Sequence, residues 1–172
     1  MRTDKLTSSN ELGMRPARPS DSGFIESLYR STREDLRLID AEDDFIEALI
    51  TMQQQAQTVG YGNLFPNAMT FIVEKQGEPI GRVTVDFGHN EVRLIDIAFI
   101  PLARGKGYGE TVIRNLQLAA AQAKAPLVLT AMKNNPAAKS LYLRLGFRVE
   151  EATDAYERMA WYPQQGKALI FT

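Results

Sequence analysis

The chain has 172 residues, 44% of them hydrophobic, enough for one ordinary core that buries roughly 70% of the unfolded surface. Twenty basic against 21 acidic residues leave a net charge of −1, so no global field draws nucleic acid or an anionic membrane, and any anion has to be held by a local site. The absence of cysteine excludes disulfides, thiolate metal centres and every mechanism that stores an acyl group on a cysteine; the lone His89, between Gly88 and Asn90, reads as a solvated turn residue, so neither a metal site nor a Ser-His-Asp triad is expected.

Residues 1–11 are polar and read as a loose tail with neither a signal peptide nor a membrane anchor, and the chain contains no apolar run of about 18 residues, so a cytoplasmic location is expected. Met14 to Arg18 suits a short edge strand stopped by Pro19. Ser20 or Asp21 can cap a helix carrying Phe24, Ile25, Leu28 and Thr32. A second helix is read from Phe45, Leu49, Met52, Ala56 and Val59 as its apolar face, with Gln53, Gln57 and Tyr61 forming a polar ridge on the other side that leads into a loop, Gly60-Tyr61-Gly62-Asn63. The acidic run Asp40, Glu42, Asp43 and Asp44 suits the solvated start of that helix.

From Met69 the apolar period becomes two. Met69, Phe71 and Val73, a turn at Gln76-Gly77-Glu78-Pro79, then Val83, Val85 and Phe87 make a hairpin. The next strand, Glu91 to Ile100, is apolar on both sides apart from Asp96 and belongs in the middle of a sheet. Val112, Ile113, Leu116 and Ala120 mark a helix from Gly107 to about Ala123, and the strand Leu127-Val128-Leu129 completes a parallel crossover. Asn135 is a helix cap with Pro136 at the first helical position, Ala138, Leu141, Tyr142 and Leu145 form one stripe, and Gly146 stops the helix. Phe147 to Val149 and Tyr156 to Tyr162 are closing strands. The expected organisation is a single domain over 12–162 with a tail at 163–172, where Leu169-Ile170-Phe171 either packs on a partner or stays unused.

The chemistry concentrates in Arg104-Gly105-Lys106-Gly107-Tyr108-Gly109, between the central strand and the first turn of a helix. Three alternate glycines clear side chains from the loop, so successive N–H groups, the helix N-terminus and two cations can converge on a phosphate. Glu110 stands where a dinucleotide-binding fingerprint needs its third glycine, and no G-K-[ST] occurs. Both common nucleotide motifs are therefore disfavoured.

This loop resembles the pyrophosphate motif [RQ]-x-x-G-x-[GA] of the GNAT superfamily of N-acetyltransferases, through Arg104, Gly107 and Gly109. The resemblance extends over about residues 13–162 through Glu78-Pro79-Ile80-Gly81, Phe99-Ile100-Pro101 and the N-x-x-A-x-x-L-Y-x-x-L-G-F run from Asn135 to Phe147. It implies an α/β (α+β) fold with a mixed, mostly antiparallel sheet of about six to seven strands and helices on both faces. It also implies acetyl-CoA as cofactor, its pyrophosphate held by Arg104 to Gly109, its pantetheine arm by strand backbone at Ile97, Ala98 and Phe99, with Asn135 and Ala138 at the following helix start. Asn135 serves that role, a cap, or both.

By the same resemblance Tyr142 lies beside the cofactor sulfur, where a phenol of ordinary pKa about 10 can protonate a departing thiolate; the alternative is a packed stripe residue. Asp96 matches an aspartate that contacts the acceptor amine in some members, while a structural pairing with Arg82 or Arg93 is the other reading; Glu91 is a weaker candidate. The acceptor site is expected between the first two helices and the sheet, with Tyr29, Gln53, Gln57 and Tyr61 as contacts. The lack of a dense acidic cluster argues against a polycationic acceptor, and the sequence does not choose among a small amine, an amino acid, a drug-like amine and a protein amino group; the expected partner is a small-molecule or peptide amine, with no nucleic acid or membrane, and the resemblance to a family with many dimers implies a homodimer as one option. A non-catalytic acyl-CoA sensor is the rival, disfavoured because it needs neither Tyr142 nor Asp96; an unrelated nucleotide-phosphate binder comes third.

Overall fold

The computed structural model describes residues 12–33 and 43–163, with positions 43–45 and 61–62 as backbone only. The expected tails at 1–11 and from 164 onward, Asp40 and Glu42 lie outside the described residues. Strand β1 (Leu12–Pro16) is an edge strand, antiparallel to β2 (Met69–Lys75), with Leu12 opposite Lys75 and Pro16 opposite Phe71. Arg15 fastens this edge to the start of the first helix and to β2, donating to Asp21 at 2.8 and 2.9 Å and to Glu74 at 2.7 Å. Asp21 stands at the N-cap of α1 (Ser22–Thr32), but its carboxylate is used by Arg15 and by the Arg18 N–H at 2.7 Å rather than by the helix.

Helix α2 (Asp43–Leu64) departs from the sequence reading twice. It continues through Gly60-Tyr61-Gly62-Asn63, where a loop is expected. Its buried side is also rotated: Ile46 and Ile50 are 2% and 1% exposed against Tyr29 of α1, with Leu49 of the expected face packed beside them, while Met52 and Val59 are 64% and 61% exposed. The reason is helical spacing, because positions 46, 50, 53 and 57 follow steps of four, three and four. The line that begins with two isoleucines thus continues into Gln53 and Gln57, both half-buried.

The hairpin joining β2 to β3 (Glu78–Phe87) turns on two residues, Gln76 and Gly77, both at positive φ (54° and 82°), the backbone that matches strand twist. Pro79 falls inside β3 rather than in the turn. Strand β4 (Val92–Phe99) is the fourth of seven in the order β1-β2-β3-β4-β5-β7-β6. It leads through a short turn, Pro101–Ala103, to α3 (Tyr108–Ala123) and then β5 (Leu127–Met132), which is parallel to β4 over Val92–Leu94 against Leu127–Leu129. Helix α4 (Pro136–Arg144) and the strands β6 (Arg148–Ala152) and β7 (Tyr156–Trp161) come next, β7 lying antiparallel to both β5 and β6. The sheet is thus mixed and mostly antiparallel, as expected.

Two compact units emerge, one running to Thr84 and including Asp96–Lys106, the other made of Val85–Ile95 and Gly107 onward; β3 and β4 contribute to both. The first is centred on Leu28, Ile72, Val73 and Val83 and on the Tyr29, Ile46, Ile50 cluster. The second packs Val112, Ile113, Leu116 and Ala120 of α3 with Leu127, Val128, Phe147 and Met159 in its buried interior. Among the described residues no helix is long and apolar enough to cross a membrane.

Candidate active site

The loop after β4 is shaped by its glycines. Gly105 and Gly107 adopt φ of 74° and 84°, where side chains are strained, and a Cβ on either would meet no protein atom within 4 Å. The restriction is in the backbone, and the space before the loop is open. Gly107 is the N-cap of α3 and has no side chain to cap the first turn, so that turn offers its N–H groups and the positive end of a 16-residue helix to an anion.

Glu110 in that same turn would repel the anion, but Arg144 donates to it at 2.8 Å and Arg114 at 3.0 Å. First Arg144 and then Arg114 hold its carboxyl below the usual carboxylate range. Lys106 is exposed, as a phosphate-binding cation requires. Arg104 behaves differently: its Nε donates to the Phe99 carbonyl at 2.9 Å and its Nη2 to the Ser31 hydroxyl at 3.2 Å, fastening the end of β4 to α1.

Ile97, Ala98 and Phe99 are half-buried on β4. Gly81 of β3 lies against them so closely that a Cβ there would come within 2.7 Å of the Ala98 oxygen and 2.6 Å of the Phe99 ring. Asn135 caps α4, accepting from the Ala138 N–H at 3.2 Å, and Ala138 is half-buried. Tyr142, on the same helix, is half-buried with its ring centroid 5.8 Å from that of Phe147.

Asp96 forms an ion pair with Arg82, its Oδ2 accepting from Nη2. Arg93, the other suggested partner, bonds Glu91 instead at 2.7 Å, and Arg158 takes the second oxygen of Glu91 at 3.1 Å. Glu91 is thereby a structural ion-pair centre. The Asp96–Arg82 pair lines a cavity of about 330 Å³ bounded by Ile25 of α1, Gln57 and Thr58 of α2, the connection with Phe65, Pro66 and Ala68, and Thr70 and Thr84 of β2 and β3. The two threonine hydroxyls are 3.1 Å apart.

The four residues expected to line the acceptor site divide. Gln57 lines the cavity; Tyr29, only 6% exposed, is a core residue of the α1–α2 contact and does not. Gln53 is half-buried, one helical turn before Gln57, but not among the lining, and its Oε1 has no hydrogen-bond partner among the described residues. The side chain of Tyr61 lies outside the described residues. Sequence reasoning missed Thr84 and Thr70, and named Arg82 only as one of two structural partners for Asp96 rather than as a residue of the site. A signal for Arg82 exists, since a charged residue inside the alternating strand Ile80 to Val85 is as anomalous as Asp96 in β4.

An uncapped, glycine-bearing helix start after a central strand fits the pyrophosphate of an acyl-CoA, and the fold with this loop defines an acyl-CoA-dependent transferase. The family model described as Acetyltransferase (GNAT) family matches residues 25–147, and the chain belongs to that family. It is an acetyl-CoA-dependent N-acetyltransferase. None of the curated proteins matches the chain significantly.

Solved structures with the same fold include the PaiA N-acetyltransferase from Thermoplasma acidophilum in complex with coenzyme A, with 15% identity over 88% of this chain and 99% of that one, at a TM-score of 0.66. An acetyltransferase from Thermus thermophilus is 18% identical over 91% and 99% of the two chains, at a TM-score of 0.65. The spermidine N-acetyltransferase of Vibrio cholerae, in its dodecameric structure, is 20% identical over 90% and 95%, at a TM-score of 0.61.

Proposed function

We propose that the enzyme moves an acetyl group to a primary amine by direct transfer in a ternary complex. The observation that carries this is the ligand-sized cavity whose mainly apolar lining is interrupted by the Asp96–Arg82 pair, in a chain with no cysteine to carry an acyl intermediate. Bound acetyl-CoA supplies the thioester: the amine nitrogen forms a bond to its carbonyl carbon and the carbon–sulfur bond breaks.

The loop from Arg104 to Gly109 binds the pyrophosphate through backbone N–H groups and Lys106, and the backbone of Ile97 to Phe99 holds the pantetheine arm. Arg104 acts mainly by bracing the end of β4 through Phe99 and Ser31. Tyr142 gives its phenolic proton to the thiolate. Asp96, whose Oδ2 is engaged by Arg82, orients the acceptor amine through Oδ1. An ammonium acceptor loses two protons overall, one replacing that of Tyr142 and one released to solvent.

Release of CoA thiol by the purified protein tests the reading, and the absence of cysteine keeps a thiol reagent specific for CoA. Release stimulated by an amine pool, with a product heavier by one acetyl group, is expected. Acetyl-CoA binding without release from any pool of small amines, amino acids or lysine peptides contradicts it.

A further inference from the structure

We infer that the acceptor is a free amino acid with an apolar side chain, its amine set by Asp96 and its carboxylate by Arg82. This rests on the transfer reading above and names the substrate class of the same site.

Arg82 is 8% exposed, and among the described residues its guanidinium makes one hydrogen bond, to Asp96, while its Nε has no partner. The Nε donor, buried with no partner among the described residues, leaves this guanidinium unfavourably under-satisfied. A carboxylate is the group whose two oxygens match that fork. Asp96 supplies the opposite charge beside it. An α-amino acid carries an amine and a carboxylate separated by a single carbon, so its two groups meet adjacent partners of opposite sign. Thr84 lines the same polar side, whereas Ile25, Phe65 and Pro66 offer an apolar wall for the side chain. The volume, about 330 Å³, lies at the small end of ligand cavities, which run from roughly 300 to 1,000 Å³.

The same features disfavour a polyamine. Among the described residues Asp96 is the one carboxylate in the lining, and Arg82 already matches its charge. A row of ammonium groups would therefore meet a cation and no uncompensated anion.

The transfer balances as before: the amino nitrogen bonds the acetyl carbon, the carbon–sulfur bond breaks, and the products are an N-acetyl amino acid, CoA thiol and one proton.

The experiment compares CoA release from L-phenylalanine, L-leucine and L-methionine with their decarboxylated counterparts, phenethylamine, isoamylamine and 3-(methylthio)propylamine, and with spermidine. At least one amino acid should exceed its matched amine by about tenfold or more in kcat/KM, because a buried partner is left unpaired by the amine. Arg82→Lys, which keeps the charge and loses the fork, should narrow that ratio by raising KM for the amino acid. The comparison on the unaltered enzyme stands even if the variant folds poorly. Amines or spermidine turned over as well as the amino acids overturn the proposal and leave the transfer reading intact. No release from any of them, with release stimulated by a lysine peptide or another amine, overturns the amino-acid proposal alone; no release from those pools either, with acetyl-CoA still protecting the protein against heat, overturns both.

Discussion

Arg144 of α4 donates to Glu110 in the first turn of α3 at 2.8 Å, so the helix that carries Tyr142 is fastened to the helix start proposed to receive the pyrophosphate. Arg114 engages the other oxygen of Glu110 at 3.0 Å. The carboxylate in that first turn is thereby compensated, first Arg144 and then Arg114 holding its pKa below the usual carboxylate range. Glu110→Gln removes the negative charge and leaves both arginines. Acetyl-CoA affinity should rise by roughly two- to fivefold at low ionic strength, and the gain should fade at about 0.5 M salt. Equilibrium titration at the two salt concentrations checks this; weaker binding in the variant would count against the charge argument.

Tyr142→Phe removes one hydroxyl from a half-buried ring that still packs against Phe147. If the phenol protonates the thiolate, kcat should fall at least about tenfold while acetyl-CoA affinity stays within about twofold. Steady-state kinetics with a binding titration separates the two, and an unchanged kcat would remove Tyr142 from the chemistry.

Two glycines should fail in different ways. At Gly107 a Cβ meets no protein atom, so Gly107→Ala carries only the left-handed backbone strain, about 1–2 kcal/mol. Its larger effect should be on acetyl-CoA, with affinity down roughly tenfold, because relief of that strain displaces the first-turn N–H groups proposed to hold the pyrophosphate. At Gly81 the methyl would strike the Ala98 carbonyl and the Phe99 ring, so Gly81→Ala forces β4 to move and should cost about 1–3 kcal/mol. Thermal melts alongside CoA titrations distinguish them; a Gly107 variant that binds acetyl-CoA normally would argue against the cradle.

Asp21 connects pH to stability. Arg15, and then the Arg18 N–H, hold its carboxyl well below the usual carboxylate range. A depressed folded-state value means the contribution is complete above the unfolded value, near 3.9, and is lost as pH falls below it. Asp21→Asn should therefore lower Tm at pH 7, with the gap to the unaltered protein narrowing progressively as pH falls from about 4 toward about 2. A gap that stays constant across that range would place the contribution outside the Arg15 ion pair.

What the chain sequence by itself determined is local. The glycine loop, the Asn135 cap with Pro136, the stop at Gly146 and the presence of the β2–β3 hairpin, though not its two-residue turn, were legible because each depends on backbone conformations and capping bonds within a few residues. The family motif was legible for the same reason, being a contiguous run. Asp96 was legible only as an anomaly, an acid in an apolar strand.

Its partner was decided by the tertiary structure. Arg82 comes from the neighbouring strand 14 residues earlier, and two arginines were equally placed in the sequence. The buried side of α2 was likewise beyond local reading, since two apolar lines compete on one helix and the choice went to Ile46 and Ile50, which meet Tyr29 across the α1–α2 contact. That contact buried Tyr29 and turned Gln57 toward the cavity. Helical periodicity says which residues share a face, but a face is buried only when another element offers a complementary surface, and that depends on chain segments distant in sequence.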